Sequence, residues 1–292
     1  MDRQSEKYCA YVQILKEELI TAMGCTEPIA LAYAAARCRE ILGKLPEKIS
    51  VEVSGSIIKN VKSVVVPNTG GMKGIQAAVA AGIVAGKVEK RLEVISEVTE
   101  EECRKIQQYA EQTEIEICHL NSEHVFDILI TAFCGEDTAK VRITNYHTNI
   151  VLEEKNGQTL LETIVEGDHE EGLTDRSLLD MEDIWDFAMT CDIADVKDIL
   201  DHQVDCNMAI AEEGMKHPYG ACIGQVLLDA WGDGIRNRAC AKAAAGSDAR
   251  MSGCELPVVI NSGSGNQGIT CSVPVVEYAK ELQAGDEKMY RA

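Results

Sequence analysis

Cys25 stands in the stretch GCTEP, directly ahead of Thr26, Glu27 and Pro28. Those three residues can open a helix: Thr26 as a cap, Glu27 against the positive end, and Pro28 where no internal hydrogen bond is needed. A thiol just ahead of a helix is biased toward thiolate, which suits a nucleophile or a metal ligand; the same position also suits a buried structural cysteine. His147, in NYHTNIV at the end of a predicted strand, carries a side chain that moves protons near neutrality, or else it is a solvated edge histidine. Arg250, in AGSDARMSG, offers planar donors to a carboxylate, or it is held by Asp248 as a structural pair.

A second set of donors follows in SGSGNQG, residues 262–268, between the apolar run LPVVIN and the helix-like ITCSVPVVEYAKEL. Glycines there let backbone N–H groups converge, and the positive end of the next helix favours an anion. Ser262, Ser264, Asn266 and Gln267 would add side-chain donors, although a tight turn between packed elements explains the glycines equally well. The stretch lacks the Lys-Ser/Thr ending of a phosphate-binding P-loop, and it is not GxGxxG in a βαβ unit. A glycine and asparagine loop of this kind also resembles one that holds pyridoxal phosphate, which needs a Schiff-base lysine such as Lys59 or Lys73.

The elements that must position these groups follow from periodicity. Residues 5–23 carry apolar groups at helical spacing and stop at Gly24, and a second helix runs from the GCTEP corner to about Leu42. Residues 49–66 are β-rich, the turn NTGGMKG leads into a small-residue helix IQAAVAAGIVAG, LEVISEV returns to strand periodicity, and EEECRKIQQYAEQ is a surface helix. Between Glu114 and Leu161 the pattern is a half-buried antiparallel sheet, with Asn156-Gly157 as a hairpin turn. Residues 162–184, with Gly167 and Gly172, form an acidic connection, and helices at about 178–190, 193–215 and 220–245 follow. The predicted architecture is α+β: a mixed or antiparallel sheet packed with helices over residues 1–170, then a largely α-helical portion, 171–292, carrying the SDAR and SGSGNQG loops.

Composition narrows the function. The 292 residues hold 48 acidic against 28 basic side chains, a formal charge of −20, which repels phosphate backbones and anionic membranes. No apolar run is long enough for a membrane helix, and no signal segment is recognisable, so a cytoplasmic protein without nucleic-acid or membrane partners is expected. Aromatic residues are 4% of the chain, so Ala, Val, Ile and Leu must fill the core. The twelve cysteines are diffusely spaced with no CxxC pair, which points to reduced thiols used as small hydrophobes.

GCTEPIALAYAAA (24–36), IIKN (57–60), HTNIV (147–151), GSDARMSG (246–253) and INSGSGNQGI (260–269), in that order, resemble the L-cysteine desulfidase family, which is related to the alpha part of iron–sulfur L-serine dehydratase. The resemblance implies a pyridoxal-independent lyase in which a [4Fe-4S] cluster helps to remove sulfide from L-cysteine, leaving pyruvate and ammonia. It makes Cys25 a cluster ligand and implies a chain shortened at its C-terminus, since the family continues into helices with further cluster cysteines. Cys254 and Cys271 flank the glycine loop, but no motif of the family assigns them to a cluster. For the chemistry, Ser262, Ser264, Asn266, Gln267, Asp248 and Arg250 are the candidates for gripping a small amino-acid substrate, and His147 and Lys59 for proton transfer. Asn60 and Asn149 would hold substrate or side-chain orientation, and Glu27 would adjust the cluster corner or receive the ammonium. L-serine dehydration, a pyridoxal lyase and a non-enzymatic amino-acid-binding or regulatory protein are the alternative readings, and a homo-oligomer is compatible with each.

Overall fold

A computed structural model describes residues 1–163 and 173–292. Two compact units emerge: one comprises Met1–Ala22, Glu171–Ser252 and Leu256–Ala292, the other Met23–Glu170 with Gly253–Glu255. The expected acidic connection containing Gly167 and Gly172 lies largely outside the described residues.

The helices are α1 (Glu6–Glu18), α2 (Thr26–Leu42), α3 (Gly55–Val61), α4 (Gly74–Ala85), α5 (Glu100–Gln112), α6 (Met181–Thr190), α7 (Lys197–Lys216), α8 (Ile223–Trp231), α9 (Ile235–Met251), α10 (Gly265–Glu281) and α11 (Asp286–Arg291). The strands are β1 (Thr21–Met23), β2 (Lys48–Val53), β3 (Glu114–His119), β4 (Asp127–Cys134), β5 (Asp137–Thr144), β6 (Ile150–Lys155), β7 (Gln158–Glu162) and β8 (Pro257–Val259). The predicted α+β class and the helical C-terminal half are thus observed.

The unit that begins at Met23 is built on a six-stranded sheet in the order β3-β2-β4-β5-β6-β7, with β2 and β3 parallel and the remaining neighbours antiparallel. Along β4, Ile128, Ile130 and Ala132 are buried while Leu129, Thr131 and Phe133 are only half-buried, the alternation of a sheet with one covered face. Helix α2 lies on that sheet: Cys38 Sγ donates to the Ala139 carbonyl at 3.2 Å, and Arg37 forks onto Glu153 at 2.6 and 2.9 Å. Burial without a charged partner pushes the Cys38 thiol up to about 12, marking it as an inert packing cysteine. The β6–β7 turn follows the sequence, with Asn156 at φ 51° and Gly157 at φ 76°, the left-handed pair of a tight hairpin.

Small residues set the distance between α2 and α4. A Cβ on Gly82 would lie 2.1 Å from the Ala32 carbonyl oxygen, so only glycine lets the two backbones meet there. Arg39 of α2 reaches past this contact to cap the end of α4, donating to the carbonyls of Ile83 at 2.8 Å, Val84 at 3.2 Å and Gly86 at 3.1 Å. Helix α5 starts at a capping box, Thr99 with Glu102, as its polar sequence suggests.

The other unit packs α7, α9 and α10 through the same device. A Cβ on Gly214 of α7 would stand 2.1 Å from the Ala245 carbonyl oxygen of α9. Tyr8 and Tyr11 of α1 stack against Phe187 of α6, with ring centroids at 5.2 and 5.5 Å. Helix α11 is tied down by Arg291, which donates to the Ala188 carbonyl at 3.0 Å.

Five expectations are corrected. The helix expected over 5–23 stops at Glu18, and β1 follows and joins β8 in a separate two-stranded sheet. The β-rich reading of 49–66 holds only to Val53: Ser54 N-caps α3, and Gly55, beside His119, begins it. LEVISEV forms a 3-10 turn and bends, because a short apolar run with alternating polarity does not distinguish a strand from irregular packing. The helix expected over 220–245 is broken by Gly232 into α8 and α9, and α9 continues through GSDARM, which was expected to be a loop.

Replacing Gly82 with Ala is expected to destabilise the protein by about 1–3 kcal/mol, because overpacking at Ala32 outweighs the roughly 1 kcal/mol gain in helix propensity. Urea unfolding followed by circular dichroism checks this; a stabilised G82A would show that α2 and α4 are not held at this distance.

Candidate functional site

The GCTEP corner is shaped by a glycine. Gly24 has φ +66°, and a Cβ there would stand 2.4 Å from Pro67 Cγ, so the chain turns tightly against Pro67 before entering α2. Asn68, the next residue, is left-handed at φ 59°; its Nδ2 donates to the Ile95 carbonyl at 2.9 Å and lies 3.4 Å from Met23 Sδ. The corner therefore rests on the NTGG turn, a neighbour that sequence spacing did not connect to it.

At the corner, Cys25 is the N-cap residue of α2 and is buried, and Thr26 is the first helical residue. The Cys25 thiol donates to Glu27 Oε2 at 2.9 Å, Thr26 Oγ1 donates to the same oxygen at 3.3 Å, and Asn60 Nδ2 donates to Glu27 Oε1 at 3.4 Å. Glu27 is thus a half-buried carboxylate surrounded by donors at the positive end of a 17-residue helix. Lys59, adjacent to Asn60 on α3, is exposed.

Strand order brings His147 to the same end of the sheet. Ser54, which caps α3, donates its amide to the Asp127 carbonyl at the start of β4, and Asn145, past the end of β5, donates to the Phe126 carbonyl. His147 sits in the turn from β5 to β6 with its ring edge-on to Phe126, centroids 4.6 Å apart. Asn149 closes that turn, its Nδ2 donating to the Thr144 carbonyl at 3.0 Å, a role in backbone structure. Below the turn, buried Asp127 accepts Arg142 Nε at 2.9 Å and Nη2 at 2.6 Å, which fixes the ends of β4 and β5. Cys25, Glu27, Lys59, Asn60 and His147 therefore share one unit, and helix α3 and the β5–β6 turn share one end of its sheet.

The second set of candidates belongs to the other unit. Arg250, in the last turn of α9, is 3% exposed, and its Nη1 donates to Asn266 Oδ1 at 3.0 Å. Gly265 packs closely against the guanidinium: a Cβ there would be 2.5 Å from Nε and 2.7 Å from Cζ. Ser262 at φ 46° and Gly263 at φ 74° make a left-handed pair, and Asn261 and Ser264 exchange backbone hydrogen bonds at 3.1 and 2.9 Å around it. Ser264 Oγ accepts the Gln267 amide at 3.3 Å as the N-cap of α10, so the helix starts inside the glycine stretch. The first amides of α10, at Gly265 and Asn266, have no intrahelical acceptor by helix geometry. Ser262 and Gln267 are exposed.

Asp248 is engaged elsewhere. Its Oδ2 accepts the Ile223 amide at 2.8 Å, which caps α8, so of the two readings open for Arg250 the structural pair with Asp248 is not the one seen. Two supports were missed in the sequence. Asn207, fully buried on α7, accepts the Val259 amide at 2.9 Å and donates to the Val259 carbonyl at 3.1 Å. Gln203, one turn earlier, donates to Asn261 Oδ1 at 2.9 Å. Their signal was a pair of amides four residues apart on the apolar side of a helix.

Two surface cavities do not involve any of these groups. One, of about 490 Å³, lies among α7, α10 and α11, lined by Met208, Val276, Lys280, Asp286 and Met289; the other, of about 330 Å³, is lined by Leu227, Trp231, Arg236, Asn237 and Cys240.

The serine dehydratase alpha chain family model matches residues 89–292, a span that takes in His147, Arg250 and the whole glycine loop. A UPF0597 protein of Desulfitobacterium hafniense (strain Y51) is 57% identical over 295 residues, covering 100% of this chain and 68% of that protein. UPF0597 proteins of Lachnoclostridium phytofermentans and Treponema denticola are 45% and 44% identical, the matches covering 98% and 100% of this chain and 68% and 69% of theirs. The chain belongs to the UPF0597 family, related to the serine dehydratase alpha chain, and so to a lyase-related fold.

The expected iron–sulfur chemistry is corrected. A cubane with one open iron needs about three protein thiolates, yet among the described residues no group of three or more Cys, His, Asp or Glu side chains is placed to hold a metal. Cys254 is buried and Cys271 exposed, and neither joins Cys25 in such a group. The described residues do not fit a [4Fe-4S] cluster, which overturns the expected iron–sulfur-dependent removal of sulfide from L-cysteine. Among the described residues no helix is long and apolar enough to cross a membrane.

Asp248→Ala is expected to lower stability by about 1 kcal/mol through loss of the α8 cap. Denaturant unfolding measures this, and an unchanged midpoint would show that the contact carries no weight.

Proposed function

We propose that this chain binds a small L-α-amino acid with a β-leaving group, L-serine in the first instance, as part of a β-elimination reaction. The observation that carries this reading is the serine dehydratase alpha chain match, because it spans the donor-rich start of α10 and the arginine held beneath it. Elimination requires a grip on the carboxylate, a base for the α-proton and a proton for the departing group. The backbone amides at the start of α10, with Ser262 at the rim, suit the carboxylate. Arg250 is a positioning residue in this scheme: it holds Asn266 and packs against Gly265, so it acts through the loop. Asp248 and Asn149 are assigned to structure, and Ser264 to capping.

Considered by itself, the unit that begins at Met23 offers His147 and Lys59 as proposed proton carriers and Glu27, oriented by Cys25, Thr26 and Asn60, as a proposed partner for a cation. Each contribution is testable separately. Calorimetric titration should show L-serine binding with D-serine markedly weaker, and Asn266→Ala should weaken L-serine about tenfold, because the loop then loses the hydrogen bond by which Arg250 holds it. Equal affinity for the two enantiomers, or an unchanged Asn266→Ala, would overturn the assignment. L-cysteine in the same titration reports on the leaving group, since its carboxylate and amine are those of L-serine.

A further inference from the structure

On α7, His202 and Cys206 are four residues apart and so lie on neighbouring turns of one face. The Cys206 sulfur is 3.8 Å from His202 Nδ1 and 3.9 Å from Nε2. Nε2 is in turn 2.8 Å from Thr21 Oγ1, at the first residue of β1. In the tautomer whose Nε2–H donates to the threonine hydroxyl, Nδ1 carries the lone pair, 3.8 Å from the thiol sulfur. A nucleophile, a base and a group that orients the base are thus assembled in the order Cys206, His202, Thr21, the arrangement that activates a thiol. Cys206 is half-buried and His202 exposed, so a small molecule can reach the pair. None of the three is among the residues proposed for amino-acid binding, and the inference stands apart from that reading.

We propose that Cys206 is a reactive thiol that takes small soft electrophiles, low-molecular-weight disulfides in particular, with His202 as its base. The Sγ–H proton passes to His202 Nδ1, and the thiolate attacks one sulfur of the disulfide. The old S–S bond breaks as the new one forms, and the departing thiolate recovers the proton from His202. The products are a mixed disulfide on Cys206 and one free small thiol, with no other oxidant needed.

The chain carries its own controls, because Cys9, Cys118, Cys240 and Cys271 are exposed thiols. In the native chain at neutral pH, brief treatment with iodoacetamide followed by peptide mass spectrometry should label Cys206 on the order of tenfold faster than those four. His202→Gln, a change at an exposed position, should bring Cys206 down to their rate, and Thr21→Val should take it part of the way. Glutathione disulfide should form an adduct on Cys206 first, reversed by dithiothreitol. Labelling of Cys206 no faster than the exposed thiols, an unchanged rate in folded His202→Gln, or glutathione on the exposed thiols ahead of Cys206 would each overturn the proposal.

Discussion

The fold depends on glycines that allow backbone to touch backbone. Gly82 against Ala32, Gly214 against Ala245 and Gly268 against Val259 all place a missing Cβ 2.1 Å from a carbonyl oxygen, a separation no side chain tolerates. With aromatics at 4% of the sequence, large side chains cannot fill wide gaps between helices, so the gaps must be narrow. The same constraint reaches the candidate residues: Gly24 lets the chain turn on Pro67 ahead of Cys25, and Gly265 lets the start of α10 lie on the Arg250 guanidinium. Close packing is therefore what places both sets of polar groups.

Much of this was legible in the sequence. The hairpin at Asn156-Gly157, the alternating strands from 114 to 161, the alanine-rich helices and the helical C-terminal half follow from local periodicity and turn chemistry. What was not legible depends on partners distant in the chain. GSDARM resembles a loop in composition, but it is the end of α9, because Ala241, Ala245 and Ala249 give that segment a buried face. The β-rich pattern was expected to run past Gly55, whereas the structure uses that glycine to begin α3 next to His119. A structural pair of Asp248 with Arg250 was one of two readings of that arginine, but two residues apart on a helix they point in different directions, and Asp248 reaches Ile223.

The candidate groups were found by type more reliably than by role. Asn266 and Arg250 are hydrogen-bonded across two motifs, and Glu27 gathers Cys25 and Thr26 of its own motif and Asn60 of another. Asn149 and Ser264 turned out to serve the backbone, which is the usual occupation of such residues at turns and helix starts. The metal assignment rested on a resemblance, and the described side chains supply no group that could carry it. Buried amides at Gln203 and Asn207 escaped notice because a polar residue inside a helix is invisible as a support until its acceptor is known.

Both tryptophans, Trp185 and Trp231, are 70% exposed and belong to the same unit. The chain's indole fluorophores therefore already sit in water in the native state. Tryptophan emission would change little when the aliphatic core opens and would not report on the sheet-bearing unit directly, whose melting has to be followed through its peptide bonds or its tyrosines.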